Sequence, residues 1–347
     1  MAGAGWAAAA LLALLAAVAF RAVPSVYLAA LAALAPMAAY LAAALLLFGR
    51  GIWMDMAFPL SSGILALIGG GVISYSHATS QKRFIRKAFS QYLSPEVVSQ
   101  VISTPERLSL GGEKRVMTAF FSDIRGFTAI SEGLDPTELV GLLNVYLTRM
   151  ADIIMEAGGT VDKFEGDAVI AFWGAPLELP DHAARACGAA LDCRDMHEEL
   201  NRRLSRRDYP EIVTRIGLNS GPMVVGNMGS EKRFDYTMMG EAVNLAARLE
   251  GVNKVYGTLI MCSAETAQAA GGGFVFRQLD TVRVVGQKRP VTVMELVCRK
   301  GCLDPDRERI LQGYRQALAA YRRGALAEAG ELFASMESDP PSAVMAQ

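Results

Sequence analysis

Charged residues are almost absent from the first 80 residues of this chain. The whole 347-residue sequence contains 34 Lys and Arg and 35 Asp and Glu, but the first 80 positions hold only Arg21, Arg50 and Asp55. A helix needs about 20 apolar residues to cross the hydrocarbon core of a bilayer. The sequence therefore predicts a transmembrane region at 1–80. We expect its three helices at 3–20, 27–48 and 57–77.

Basic residues directly follow the third apolar run, at Lys82, Arg83, Arg86 and Lys87. Such clusters mark the cytoplasmic side of a membrane protein. We therefore expect a multi-pass protein of the inner (plasma) membrane, with the rest of the chain in the cytoplasm. Two alternatives remain for the apolar runs. In the first alternative, the first run is a cleaved signal peptide, although it lacks the usual positively charged start. In the second, the runs form a buried helical hairpin.

The sequence after residue 80 has the composition of a globular cytosolic protein. Its five cysteines are an odd number and all lie beyond residue 180, which favours reduced thiols. The net charge of −1 provides no basic face, so we predict no nucleic-acid partner. Residues 81–111 form a basic helical connector. It either couples the membrane helices to the following domain or is a plain amphipathic linker.

Two aspartates follow predicted strands. Asp123 comes at the end of the apolar strand 116–121, and Asp167 lies in the tight turn of a predicted hairpin, 160–173. If the hairpin pairs beside the first strand, the two carboxylates meet, with no basic neighbour on the same turns. A divalent cation relieves the repulsion between such groups, and Mg²⁺ commonly takes one or two carboxylates. The alternative is that each aspartate serves only its own loop.

Four blocks of sequence follow one another in the second part of the chain: FSDIRGFT, DKFEGDAVIAFWG, RIGLNSGPMVVGNMGS and DYTMMGEAVNLAARLE. Together they resemble the catalytic domain of class III adenylate/guanylate cyclases over residues 112–297. The resemblance implies an α+β fold with a ferredoxin-like βαββαβ core, in a domain at 112–298.

The membrane region and the segment FSQYLSPEVV resemble the membrane-proximal half of bacterial membrane-anchored adenylate cyclases that carry a CHASE-type sensor. That sensor does not occur in this sequence. Two interpretations stay open, a short natural form and a start downstream of the true one.

The resemblance implies roles for particular residues. Asp123, Asp167 and the backbone carbonyl of Ile124 would hold two divalent cations, Mg²⁺ or Mn²⁺. Asn244 would orient the ribose, and Arg248 would stabilise charge on the α-phosphate. The implied reaction is attack of the ribose 3′-oxygen on the α-phosphorus, which converts ATP to 3′,5′-cyclic AMP and pyrophosphate. Each site would lie between two protomers, so we expect a homodimer.

The resemblance assigns base recognition to Lys163 and Thr237. A Lys at the first position donates to N1 of adenine, whereas N1 of guanine carries a proton and is itself a donor. The hydroxyl of Thr237 accepts from the adenine 6-amino group. A donor facing a donor costs about 1–3 kcal/mol for each unsatisfied group. We therefore expect ATP as the substrate, with guanylate cyclase as the alternative.

One segment departs from the family pattern. The sequence VRVVGQKRP places Val285 and Gln287 where the family has lysines that hold the terminal phosphates. Lys288 or Arg289 would have to substitute, so we expect a raised KM for ATP. A nucleotide-binding pseudo-cyclase that signals by dimerising remains a further alternative. A diguanylate cyclase is disfavoured, because the hairpin lacks a GGDEF-like sequence.

The final segment resembles a single tetratricopeptide-like helix pair, at 305–340, and we expect Pro340 and Pro341 to end it. One repeat cannot bury its own apolar face. The pair therefore docks on the preceding domain or recruits a protein partner. A generic helical hairpin is the other interpretation.

Overall fold

The computed structural model describes most of the chain, in the ranges 2–23, 25–89, 112–205, 209–229, 234–283, 289–336 and 338–346. It divides into two compact units, Met1–Ala88 and Phe89–Gln347, and each is considered by itself. The greater part of the predicted connector, from residue 90 to residue 111, lies outside the described residues.

The first unit consists of three long helices, α1 (Ala2–Ala22), α2 (Val26–Phe48) and α3 (Ala57–Phe89). Each contains a stretch long and apolar enough to cross a membrane, and the predicted spans agree with these stretches to within a few residues. Large apolar side chains such as Leu46 and Leu65 are exposed, which suits a lipid environment. The third helix continues to Phe89, so the basic residues after the third span belong to the same helix.

The second unit is built on one sheet. Its first four strands are β1 (Glu113–Ile124), β2 (Thr160–Glu165), β3 (Ala168–Trp173) and β4 (Thr214–Gly229). They lie in the order β2-β3-β1-β4, and all neighbours are antiparallel.

Three helices connect these strands. A short helix, α4 (Phe127–Gly133), and the longer α5 (Pro136–Glu156) follow β1, and α6 (His182–Leu204) follows β3. This arrangement confirms the predicted ferredoxin-like βαββαβ core.

The remaining strands extend this sheet beyond β4. The elements that follow in the chain are β5 (Phe234–Met239), α7 (Glu241–Tyr256), β6 (Ile260–Ser263), α8 (Ala264–Ala270), β7 (Phe274–Val282) and β8 (Val291–Arg299). The sheet continues from β4 through β6 and β8 to β7, while β5 pairs with β4 off this path.

Both faces of the sheet are covered. On one face α5 buries Leu142, Tyr146, Met150 and Ile154, four residues apart, as expected for one side of a helix. Successive strand residues point to opposite faces. The alternate residues of β1 and β3 therefore pack against β5 and α7 on the other face, where the rings of Phe172 and Tyr236 lie 6.1 Å apart.

Helix α7 rests directly on the backbone of β4. A Cβ atom at Gly217 would lie 2.3 Å from the carbonyl oxygen of Ala246 and 2.3 Å from the amide nitrogen of Glu250. No side chain therefore fits between the strand and the helix at this position. This close approach fixes the position of α7 relative to the end of β4.

Three helices end the described chain, α9 (Pro305–Arg322), α10 (Leu326–Ala334) and α11 (Pro340–Met345). Tyr314 and Phe333 are buried, with ring centroids 5.2 Å apart, in a cluster shared with β7 and α7. The helix pair thus docks on its own chain. The expectation that Pro340 and Pro341 end the helical segment is wrong, because they begin α11 behind the N-cap Asp339.

Buried charges join the last helices to the sheet. Arg277 donates from Nε to Glu295 at 2.6 Å and from Nη1 to Asp339 at 2.6 Å. Arg307 contacts the same two carboxylates, at 3.4 and 3.2 Å. We call these four residues the ion cluster. Residues 112–298 and 305–340 share this cluster and a core. The predicted division of the chain into domains at 1–80, 81–111, 112–298 and 305–340 therefore stays a proposal.

Candidate active site

Asp123 and Asp167 lie at the same end of the sheet. Residues Ser122 and Val169 are partners in the antiparallel pairing of β1 with β3, so the turn before β3 lies beside the end of β1. The backbone N–H of Ile124 donates to Oδ2 of Asp167 at 2.9 Å. The structure therefore brings the two aspartates together, as the predicted strand pairing required.

The surroundings of the two carboxylates favour a cation. Burial and the negative charge of Asp123 together raise the pKa of Asp167 to about 6, against the opposing hydrogen bond from the Ile124 amide. Carboxylate and carbonyl oxygens are the donors that Mg²⁺ prefers. Among the described residues, no group of three or more His, Cys, Asp or Glu side chains is arranged to hold a metal ion, so this pair would need a substrate or water to complete a metal's coordination.

A buried arginine also lies at this site, on β4 rather than on either of the turns beside the aspartates. Arg215 pairs with Asp123 across β1 and β4, and its Nη2 lies 3.3 Å from Oδ2 of Asp123. Its Nε lies 3.2 Å from Oε1 of Glu250 on α7. The sequence does carry a signal for this residue, because Arg215 is the one charged residue in the stretch that forms β4.

Lys163 and Thr237 come together around a third side chain, Asp162. Strand β2 lies at an edge of the sheet, and β5 reaches it across the face opposite α5 and α6. The Thr237 hydroxyl donates to Oδ2 of Asp162 at 2.5 Å, and Nζ of Lys163 lies 3.8 Å from Oδ1. Asp162 is a second residue that the sequence analysis did not single out.

Asn244 and Arg248 lie on a different side of α7 from the aspartates of their own chain. Glu250 contacts Arg215 and so marks the side of α7 that faces Asp123. At 3.6 residues per turn, Arg248 projects about 200° away from Glu250. The side chain of Asn244 is exposed. The structure therefore does not bring this pair to Asp123 and Asp167 within one chain.

The predicted site lies outside the cavity between α5 and α6. A groove of about 500 Å³ between α5 and α6 is lined by residues such as Leu142, Met196 and Leu200, and none of the predicted site residues borders it. Lys288, with Val285 and Gln287, lies outside the described residues. The described site residues thus fall into three groups, Asp123 with Asp167 and Arg215, Asp162 with Lys163 and Thr237, and Asn244 with Arg248.

The comparisons with known proteins agree on one catalytic domain. A family model, described as the adenylate and guanylate cyclase catalytic domain, matches residues 112–296. The chain is 35% identical over 209 residues to adenylate cyclase 1 of Rhizobium meliloti, covering 60% of this chain and 31% of that protein. It is 33% identical over 222 residues to an adenylate cyclase of Anabaena cylindrica, covering 62% and 42%. The match thus spans less than half the length of these relatives.

Solved structures of both specificities are similar to the chain. The adenylyl cyclase CyaB from P. aeruginosa has a TM-score of 0.52 and 35% identity, covering 56% of this chain and 100% of that one. The guanylyl cyclase Cya2 has a TM-score of 0.51 and 38% identity, covering 56% and 98%. The matched region contains all the predicted site residues. Since the family model also matches more than half of the sequence, this chain belongs to the class III adenylate and guanylate cyclase family.

Proposed function

We propose that the protein is a membrane-anchored adenylate cyclase that converts ATP to 3′,5′-cyclic AMP and pyrophosphate at sites shared by two identical chains. The division of the site residues carries this proposal. Asp123, Asp167 and Arg215 form one half-site, and Arg248 projects away from it on α7. Two copies would place the Asn244 and Arg248 of one chain against the aspartates of the other.

The first half-site would hold the triphosphate. Two divalent cations, Mg²⁺ or Mn²⁺, held by Asp123, Asp167 and the carbonyl of Ile124, would lower the pKa of the attacking 3′-hydroxyl and offset the charge of pyrophosphate. The buried guanidinium of Arg215 adds a fixed positive charge beside them, suited to phosphate oxygens.

The second half-site would hold the base and ribose. Lys163 donates to N1 of adenine, and Thr237 accepts from the 6-amino group. Asn244 orients the ribose, so that its 3′-oxygen faces the α-phosphorus, and Arg248 stabilises the charge that develops on the α-phosphate. Lys288 would contact the terminal phosphates. We keep GTP as the second candidate substrate, because the similar structure Cya2 is a guanylyl cyclase.

The apolar helices support a cellular location for the protein at a membrane. The three spans would anchor the chain in the inner (plasma) membrane, and the basic residues after the third span would place the catalytic domain in the cytoplasm. A protein partner bound through α9 and α10 would have to contact their outer surface, where Tyr321 and Leu326 are exposed.

An assay of the purified full chain in detergent tests the reaction. ATP and GTP are each incubated with Mg²⁺ and with Mn²⁺, and the products are identified by mass spectrometry. We expect cyclic AMP as the main product. Cyclic GMP as the main product would establish the second candidate. Unchanged triphosphate in all four mixtures would contradict a cyclase and favour a pseudo-cyclase.

Divalent cations should stabilise the folded protein through Asp167. After treatment with EDTA, added Mn²⁺ at about 100 times its Kd should stabilise the wild type by about 2.7 kcal/mol, because it binds only the folded state. The thermal unfolding midpoint of Asp167→Asn should shift much less. Asp306→Asn, an exposed substitution with the same change of charge, serves as the control. Equal shifts in wild type and Asp167→Asn would rule out a metal site at this position.

A further inference from the structure

Asp162 is a buried acid at an irregular position of β2. It is 3% exposed, and the pairing of β2 with β3 shifts register between Val161 and Lys163. An extra residue in a strand re-aims its side chain relative to the regular pleat. At this irregularity the carboxylate contacts Thr237 on β5, a strand that is not a neighbour of β2 in the sheet.

The contacts of Asp162 compensate its buried negative charge only in part. Oδ2 accepts from the Thr237 hydroxyl at 2.5 Å, whereas Oδ1 has no hydrogen-bond partner among the described residues and lies 3.8 Å from Nζ of Lys163. Burial raises the pKa of Asp162, and the hydrogen bonds from Thr237 and the Met238 amide lower it, as does the charge of Lys163. Burying a carboxylate is costly unless it is paired. A role limited to joining β2 and β5 would be served equally well by a neutral amide.

We propose that Asp162 is a positioning residue that selects adenine over guanine by fixing the direction of the Thr237 hydroxyl. This inference rests on the proposed use of Lys163 and Thr237 in base recognition. Asp162 would not touch the nucleotide itself. It would act by fixing the direction of the single hydroxyl proton of Thr237.

The argument follows from the count of donors and acceptors. A threonine hydroxyl has one proton and two lone pairs, and an ionised carboxylate only accepts. The proton of Thr237 is therefore committed to Asp162, and the oxygen can offer the base nothing but a lone pair. The adenine 6-amino group is a donor and matches that lone pair. The O6 atom of guanine is an acceptor and would face it without a proton between them.

Lys163 lies beside the same carboxylate and would contact a second atom of the base. Its ammonium group only donates, which suits N1 of adenine, and its charge favours the ionised form of the neighbouring Asp162. Without the carboxylate, the Thr237 hydroxyl would be free to rotate and donate to O6 of guanine. The pair Lys163 and Thr237 would then discriminate between the bases only through the lysine.

The test replaces the acid by its neutral isostere. In Asp162→Asn the amide is able to donate to Thr237 as well as accept from it, which frees the hydroxyl proton. The ratio of kcat/KM for ATP to that for GTP, measured on the full chain in detergent, should fall about tenfold, within the usual cost of one unsatisfied group. A second measurement gives the dissociation constants of 3′-deoxy-ATP and 3′-deoxy-GTP, which lack the attacking hydroxyl, and takes the ratio of the two.

Two comparisons separate this role from a structural one. In a Thr237→Val background, Asp162→Asn should leave the ATP to GTP ratio unchanged within about twofold, because the hydroxyl on which it acts is gone. Asp306→Asn makes the same charge change at an exposed position of α9 and should leave the ratio unchanged. If Asp162→Asn does not fold, Asp162→Ser, whose hydroxyl also both donates and accepts, takes its place.

The possible failures are distinguishable. A wild type that forms no cyclic nucleotide contradicts the proposed function, while the binding ratio of the 3′-deoxy nucleotides still decides the role of Asp162. An Asp162→Asn variant that loses activity toward ATP and GTP by the same factor overturns the inference and leaves the cyclase intact. An equal loss of selectivity with and without the Thr237 hydroxyl also overturns it.

Discussion

Two inactive variants of this cyclase, Asp123→Asn and Arg248→Ala, should restore activity when they are combined. Each homodimer lacks an essential group in both sites, and loss of one such electrostatic group costs about 10²–10³ in kcat. In a mixed dimer of the proposed kind both defects would fall in one site, because one chain would supply Asp123 and the other Arg248. The second site is complete. A random mixture contains about half mixed dimers with one intact site each, so about a quarter of wild-type activity should return.

Co-expression of the two full-length variants with different affinity tags provides the measurement. Dimers purified through both tags in turn are all mixed and should approach half of wild-type activity. The matched control combines Asp123→Asn with Asp167→Asn. Both defects then belong to the same half-site, so neither site of a mixed dimer is complete and no activity should return. If the first combination stays as inactive as the control, the two half-sites do not meet across a dimer interface.

The largest effect on stability is expected from Arg277→Met in the ion cluster. This substitution leaves Glu295 and Asp339 buried, with Arg307 as their one remaining cationic partner among the described residues. Removing one partner of a buried ion pair typically destabilises a protein by about 3–5 kcal/mol, because the remaining charge is uncompensated. For a unit of this size the thermal unfolding midpoint should fall by about 10 °C.

An exposed arginine on α9 provides the comparison for this prediction. Arg309 pairs with Asp306, and both side chains are mostly exposed. Exposed pairs contribute little, so Arg309→Met should leave the midpoint within about 2 °C of wild type. Scanning calorimetry of the full chain in detergent measures both. A shift in Arg277→Met no larger than that of Arg309→Met would show that the ion cluster does not hold the last helices in place.

Local sequence signals predicted the first half of the catalytic domain well. The structure confirms the predicted hairpin at 160–173, which β2 and β3 form. Asp135 caps α5 by accepting from the amide of Thr137, and Pro136 takes the first position, both common local signals for the start of a helix. These features depend on neighbours in the chain, and for this reason sequence patterns are sufficient to find them.

Contacts between distant parts of the chain escaped prediction. The pairing of Thr237 with Asp162 joins residues 75 positions apart, and that of Arg215 with Asp123 joins residues 92 apart. No local pattern shows that β5 crosses the face of the sheet. Pro340 misled the interpretation for a different reason. Proline ends a helix from within but suits the first turn of one, and here Asp339 provides the cap that makes α11 begin.

Helix α7 has a consequence for communication within the proposed dimer. One of its sides contacts Arg215 through Glu250, and another carries Asn244 and Arg248. At Gly217 the backbone of the helix lies directly on the backbone of β4, with no side chain between them. In the dimer, this single rigid body would serve the site containing its own aspartates and the site containing the partner's. Nucleotide binding that shifts α7 at one site would thereby alter the other, so the two sites would bind cooperatively rather than independently.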